Sequence, residues 1–414
     1  MLGIPALTES PENCRKFGII RYMKKQTNII LPIVLVVVAA LGFAGWRMWG
    51  HTGALTGAWP ELEGGVYATA ISHDGFEYLV PETEIYDTGL QSEDRPALTD
   101  PKMVDITTAD TKLADELEGI AVTVGNQQRF YPFQILNWHE VLNVEVGDKS
   151  LVITYSPLTG SAVVYEDDRH FSDAGRVYNN AMLMQADGED TLWNQTTGQA
   201  IMGKDEVGQK LTVYPSTVMS WATWKDLHPD GLALSTDTGF ARDYGRHPYA
   251  SYETSSGIFF PLNYTFNKIE PKDLVYRVDG VDYTDAPVMF TARYLPAQTD
   301  PNMDIETANG KVLIVAFYDE DTDVVRVFRR EVDGQTLTFE NVGGRITDLE
   351  TGSVWSADGQ AMSGDYRGTG LTEVSVTRHY AFAQLAMFPK TVMSGAELLP
   401  ADDVVTDGEE LIIQ

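Results

Sequence analysis

The chain has 414 residues, 43% hydrophobic and 10% aromatic, enough to bury the core of one large domain or two modest ones. Its formal net charge of −30 gives a surface that repels nucleic acid and anionic lipid headgroups and suits a well-solvated domain. Cys14, the single cysteine, excludes a disulfide framework, a Cys-ligated metal and a thiol nucleophile from the rest of the chain.

Residues 1–50 hold six Lys or Arg and two Glu, which leaves 24 basic and 58 acidic side chains in residues 51–414. Gln26 to Trp46 carries no charge, and as a helix its 21 residues would span roughly 30 Å, enough to cross a bilayer. Arg15, Lys16, Arg21, Lys24 and Lys25 precede it, so the positive-inside rule places residues 1–25 in the cytoplasm as a basic tail. Gly42-Phe43-Ala44 would suit a cleavage site, but the long polar start and long apolar run favour an uncleaved signal anchor. The expectation is a single-pass membrane protein, anchored through 26–46, with its main domain periplasmic or extracellular.

Residues 47–94 read as a juxtamembrane linker and leading strands. Leu113 to Gly119 suits a short helix, Ile120 to Val124 a strand, and Gly125-Asn126 a turn. Tyr131 to Asn143 has helix-like apolar spacing with Pro near its start. Gly147 to Tyr165 is the most sharply punctuated stretch. Leu151 to Tyr155 and Ala162 to Tyr165 read as strands, and Ser156-Pro157-Leu158-Thr159-Gly160 is turn chemistry between them.

Blocks of this pattern recur. Gly147 to Tyr155 aligns with Gly310 to Tyr318, Leu192-Trp193 with Val354-Trp355, and Gly198 to Gly203 with Gly359 to Gly364. Helix-like aromatic segments follow each, Val218 to Leu227 and His379 to Phe388. We read an internal duplication with halves near 115–235 and 272–392, joined by a Tyr/Arg/Asp-rich connector at 237–252. Residues 396–414 form an acidic tail. Short strands outnumber helices, so the expected fold is β-rich α+β, two tandem related halves behind an N-terminal transmembrane helix.

Several of these motifs resemble the domain of unknown function 3179 family, over roughly residues 95–395. They are Tyr131-Pro132, Trp138-His139-Glu140-x-x-Asn143, Thr154 to Ala162, Leu192-Trp193-Asn194-Gln195, Trp221-x-x-Trp224, His228-Pro229 and Asp243-Tyr244-Gly245-x-x-Pro248-Tyr249. The resemblance implies an extracytoplasmic domain whose 156–159 turn carries, in some members, Cys or selenocysteine at its first position and Cys or Thr at its last. That turn implies thiol redox work. Here it holds Ser156 and Thr159, and a hydroxyl cannot cycle through a disulfide.

Candidate catalytic residues are His139, Glu140, Ser156 and Thr159. Ser156 with His139 and an acid would suit nucleophilic catalysis, although a turn serine more often bonds to backbone. His139-Glu140 is half of a zincin helix, but position 143 is Asn, so the second ligand at i+4 is missing. A metal held by His139 and Glu140 would need a distant His228 or His247; no cofactor is expected. Candidate binding residues are Asn143, Trp193, Gln195, His228, Arg242, Asp243, Tyr244 and Tyr252. The tryptophans equally suit a core, and the Arg242–Arg246 segment a salt-bridged loop. Two readings follow. One is a membrane-tethered binding or scaffold domain that lacks the redox pair. The other is a hydrolytic or metal-assisted enzyme using His139, Glu140 and Ser156.

Overall fold

The computed structural model describes residues 70–90, 93–264, 269–281, 283, 287–291, 300–307, 309–319, 322 and 324–394. Runs of Val, Ile, Leu and aromatic residues, cut every few positions by Gly, Pro, Asn or Asp, fold as short antiparallel strands. The strands Lys149–Ser156 and Ser161–Glu166 lie at the centre. Successive strand side chains point to opposite faces, and here both faces are buried. Ile153, Tyr155 and Val164 join one core with Ile120, Tyr131 and Leu142. Val152, Val163 and Tyr165 join a second core with Phe171, Met184 and Trp193. Each such side chain contributes about 1.5–3 kcal/mol by leaving water.

The first core is closed by a five-stranded sheet, in the order Thr217–Ser220, Glu118–Val124, Gln127–Pro132, Leu232–Leu234, Met103–Asp105. The second is closed by a seven-stranded sheet that includes Phe171–Tyr178, Ala181–Ala186, Leu192–Asn194 and Ala200–Gly203. Its far edge is covered by the hairpin Ile71–His73 and Phe76–Tyr78.

The pairing scheme occurs twice. Glu118–Val124 pairs antiparallel with Gln127–Pro132 and with Thr217–Ser220, and Leu232–Leu234 runs parallel to Gln127–Pro132. Among the later residues, Val288–Thr291 pairs antiparallel with Leu274–Val278 and parallel with Val392–Ser394, while Leu274–Val278 pairs antiparallel with Val376–Tyr380. Lys149–Ser156 sits between Val141–Val146 and Ser161–Glu166; Gly310–Asp319 sits between Asn302–Thr307 and Val324–Arg329.

The fold expectation nevertheless needs correction. Strand outweighs helix by 46% to 11%, so this is a β protein of several sheets, not α+β. Among the described residues the five α-helices are short: α1 Ile106–Ala109, α2 Phe133–His139, α3 Trp221–Leu227, α4 Ala250–Glu253 and α5 Ala381–Met387. The halves are not free-standing in tandem either, because Val376–Tyr380 adds to Ser161–Glu166 and one nine-stranded sheet runs through both. Among the described residues no helix is long and apolar enough to cross a membrane; the run 26–46, expected to do so, lies outside them.

Two local expectations also change. Leu113 to Leu117 is turn rather than helix, after α1 has been capped by Asp105. The helix expected over 131–143 spans Phe133–His139 alone, and Val141–Val146 is a strand.

Candidate functional site

The helix α2 stops at Glu140, whose φ of 57° lies in the left-handed region. A non-glycine residue there costs roughly 1–3 kcal/mol unless its surroundings hold it. Its N–H donates to Leu136 O at 2.7 Å, and its carbonyl accepts from Tyr155 N at 2.9 Å. The bend therefore ties the end of α2 to the strand that leads into the Ser156 turn.

The Glu140 carboxylate points into a closed polar cluster. Arg95 Nη1 donates to Glu140 Oε1 at 2.8 Å, and Arg95 Nη2 lies 2.6 Å from Asp173 Oδ2. Tyr249 donates its hydroxyl to Glu140 Oε1 at 2.8 Å. Glu140 is 1% exposed, Asp173 2% and Arg95 7%, so two carboxylates share one cation out of water. Burial pushes the Glu140 carboxyl up to about 7, against the pull of Arg95 and with a further push from Asp173. Burial raises the Asp173 carboxyl too, opposed by Arg95.

His139 is fully buried beside this cluster. Its Nδ1 lies 2.7 Å from Pro96 O, which can only accept, so Nδ1 carries the proton. Nε2 then accepts from the Tyr244 hydroxyl at 2.6 Å, and Thr238 Oγ1 lies 2.5 Å from the same phenol oxygen. Burial holds the imidazole below its ordinary pKa, with Arg242 acting in the same direction and the Pro96 bond opposing.

The turn between the central strands is closed by Thr159 N donating to Ser156 O at 3.1 Å. Gly160 has φ 59°, and a Cβ there would meet the Tyr380 ring at 3.0 Å, so glycine fits for two reasons. Ser156 is 1% exposed and Thr159 is fully buried. Tyr380 N donates to Thr159 O at 2.8 Å, and Tyr252 donates its hydroxyl to Leu158 O at 2.7 Å.

The 237–252 connector thus runs across the site and lays one tyrosine on each part: Tyr244 on His139, Tyr249 on Glu140, Tyr252 on the turn. Arg242 donates to Asp94 O at 2.9 Å, and Asp243 accepts from Gly245 N at 3.2 Å, which shapes the loop. The other expected binding residues serve the framework. Asn143 exchanges hydrogen bonds with the Phe171 backbone at 2.9 and 2.8 Å. Gln195 donates to Thr154 Oγ1 at 2.8 Å, and Trp193 packs edge-on to Phe171. His228 lies against Trp224 at the end of α3, and His247 pairs with Glu253 at 3.0 Å. Neither joins His139. Both ring nitrogens of His139 are engaged, so it has no lone pair free for a metal. Among the described residues no three His, Cys, Asp or Glu side chains gather as a metal site.

Sequence reasoning missed Arg95, Asp173 and Tyr249, although Tyr249 stands inside a motif it singled out. It also missed a relay between the two parts of the chain. Ser161 Oγ lies 2.8 Å from His379 Nδ1, and His379 Nε2 lies 2.7 Å from Thr377 Oγ1. Thr377 donates to Asp279, which pairs with Arg277 at 2.9 Å. Ser161 and His379 are fully buried, and burial with Arg277 and Arg378 holds His379 well below its ordinary pKa.

Residues 93–391 match the family described as Protein of unknown function (DUF3179). The chain belongs to that family. The matched span starts two residues before Arg95 and takes in the connector and the Ser161–His379 relay, so the whole cluster is part of the DUF3179 domain. No curated protein and no solved structure matches the chain.

Proposed function

We propose that this DUF3179 chain is a non-catalytic binding or scaffold member, in which the turn that carries a redox pair in relatives has become a packed hinge between two strands. One observation carries this reading: every candidate catalytic group is buried, and His139 and Glu140 are also held by structural hydrogen bonds. His139 has both ring nitrogens engaged, Glu140 is held by Arg95 and Tyr249, and Ser156 and Thr159 lie under Tyr252 and Tyr380. A hydrolase needs its nucleophile and base open to substrate and within reach of each other.

The test is treatment of the purified chain with a fluorophosphonate and, separately, metal analysis. We expect no adduct on Ser156 and no stoichiometric zinc, copper or iron. A stoichiometric Ser156 adduct, or one bound metal lost on Glu140→Gln, would replace this reading with the hydrolytic or metal-assisted one.

We further propose that the domain works outside the cytoplasm, on the support of the basic residues that precede the uncharged run 26–46. Cys14 should then resist a membrane-impermeant maleimide in sealed cells. Rapid labelling would reverse the orientation.

A further inference from the structure

Two equivalent strand edges in this molecule differ in one respect. Ala200–Gly203 pairs with Leu192–Asn194, with Met202 opposite Leu192 and Ala200 opposite Trp193. Ala361–Ser363 pairs with Val354–Trp355 in the same way, with Ser363 opposite Val354 and Ala361 opposite Trp355, and both show the same register shift. The outer edge of Ala200–Gly203 is occupied: Tyr78 pairs with Met202, Glu77 with Gly203, and Leu79 N donates to Ile201 O at 2.8 Å. The Ala361 end of the equivalent edge is taken by the returning chain, Ala361 N donating to Thr369 O at 2.9 Å and Ala361 O accepting from Gly368 N at 2.8 Å, just as Ala200 bonds to Gln209 and Gly208. Among the described residues no strand pairs with the outer edge at Met362 and Ser363. Ile201 is 1% exposed, whereas its counterpart Met362 is 61% exposed. Leu349, on the same meander of strands, is 55% exposed.

An open edge with an apolar side chain at its centre is a template for another strand, and proteins normally blunt such edges with Lys, Pro or a cover. Among the described residues Met362 and Ser363 carry none of these. We propose that Met362–Ser363 is a docking edge for an extended segment of a partner protein, one that places an apolar residue on Met362 and basic residues on either side. The first half of the molecule supplies the form of the occupant, a β-hairpin adding two strands. Charge supplies its sign. The meander around the edge exposes Glu340, Glu350, Asp358 and Asp365 against Arg345 and Arg367. A second copy, at net −30, is repelled, and so is the chain's own tail, since residues 396–414 hold six acidic side chains and no basic one. Recognition would be β-augmentation, with main-chain hydrogen bonds for affinity and the Met362 contact for register. This proposal does not rest on the non-catalytic reading above.

The probe is a synthetic hairpin of residues 70–80 bearing Glu77→Lys, added at millimolar concentration to the full chain. Amide exchange is followed at 362–364 and, as an internal control, at 201–203. We expect exchange at 362–364 to slow on the order of tenfold, less at high salt, with 201–203 unchanged. Met362→Lys, an exposed position that leaves the core intact, should abolish the slowing. Unchanged exchange at 362–364, or equal slowing in Met362→Lys, overturns the docking edge. Protection without peptide overturns the foreign partner if it rises with protein concentration, which means a second copy, or if it vanishes on deleting 395–414, which means the tail.

Discussion

Residues 118–234 and 274–394 solve the same packing problem twice, and the contrast between them separates what the fold requires from what the site requires. Asn143 clamps the Phe171 backbone, and Asn302 clamps that of Phe339 at 2.9 and 2.6 Å. Phe171 meets Trp193 edge-on, as Phe339 meets Trp355. A Cβ on Gly198 would strike Tyr165 at 2.7 Å, and one on Gly359 would strike Phe328 at 2.6 Å. These contacts belong to the architecture. Glu140 and Asp173 lie in the first part, and Arg95 and the connector tyrosines over the cluster reach in from outside both parts. At the position of Asp173, counted from the matched phenylalanines, the second part has Asn341. A buried ionic cluster is weak evidence for stability, so this one is a difference between the parts that packing alone does not require.

The sharpest way to break this contrast is to remove the shared cation. Arg95→Met leaves Glu140 and Asp173 buried without a counter-charge, and should cost about 3–5 kcal/mol in urea unfolding at pH 7.5. Adding Glu140→Gln should restore part of it. An unmoved midpoint for the single variant would mean the cluster is not closed as described.

Next come the two clamps. Asn143→Ala orphans two buried backbone groups and should cost about 2–3 kcal/mol. Asn302→Ala should cost less, because Asn302 is half-buried where Asn143 is 5% exposed. Equal losses would erase the ranking of the two parts.

The third test uses pH. The Glu140 pKa is raised in the folded state, from an ordinary 4.5 to about 7. Folded protein therefore keeps a proton that the unfolded chain releases, and this contribution is full below about pH 4.5 and lost as pH rises through 7. Wild type should lose stability, relative to Glu140→Gln, by about 3 kcal/mol across that window. Parallel profiles for the two proteins would show that Glu140 stays ionised throughout.

The smallest effect concerns the turn. Ser156→Cys with Thr159→Cys should oxidise without unfolding the protein, since the Thr159 N to Ser156 O bond of 3.1 Å already closes the ends together. The closed loop is short, so the gain should be under about 2 kcal/mol. Two free thiols persisting under mild oxidant in a folded chain would show that the side chains diverge.

Local chemistry made parts of this structure legible in advance. Leu151 to Tyr155 and Ala162 to Tyr165 announce strands because β-branched runs stop at Pro157 and Gly160. The helix over 131–143 overran because Val141 and Leu142 continue a helical apolar spacing, and nothing in the residue type of Glu140 signals a positive φ. Helix was overvalued throughout: the aromatic segments after each meander form α3 and α5, but only seven residues of each. The cluster was half legible. His139, Glu140 and Tyr244 stood in motifs, whereas Arg95 meets Glu140 across 45 residues, and His379 meets Ser161 across 218. Partners at such separations leave no periodicity to read.

The nine-stranded sheet imposes an order in time. Its middle strand, Ser161–Glu166, receives Val376–Tyr380 through the pairing of Ala162 with Arg378. A ribosome adding about 5–20 residues per second needs roughly 10–40 s to make the intervening chain. Throughout that interval the Ala162 end of the strand has no neighbour to complete its ladder, and contacts this distant in sequence are slow to form even afterwards. Shielding of the emerging chain over that interval therefore bears on the yield of native protein separately from the stability of the finished sheet.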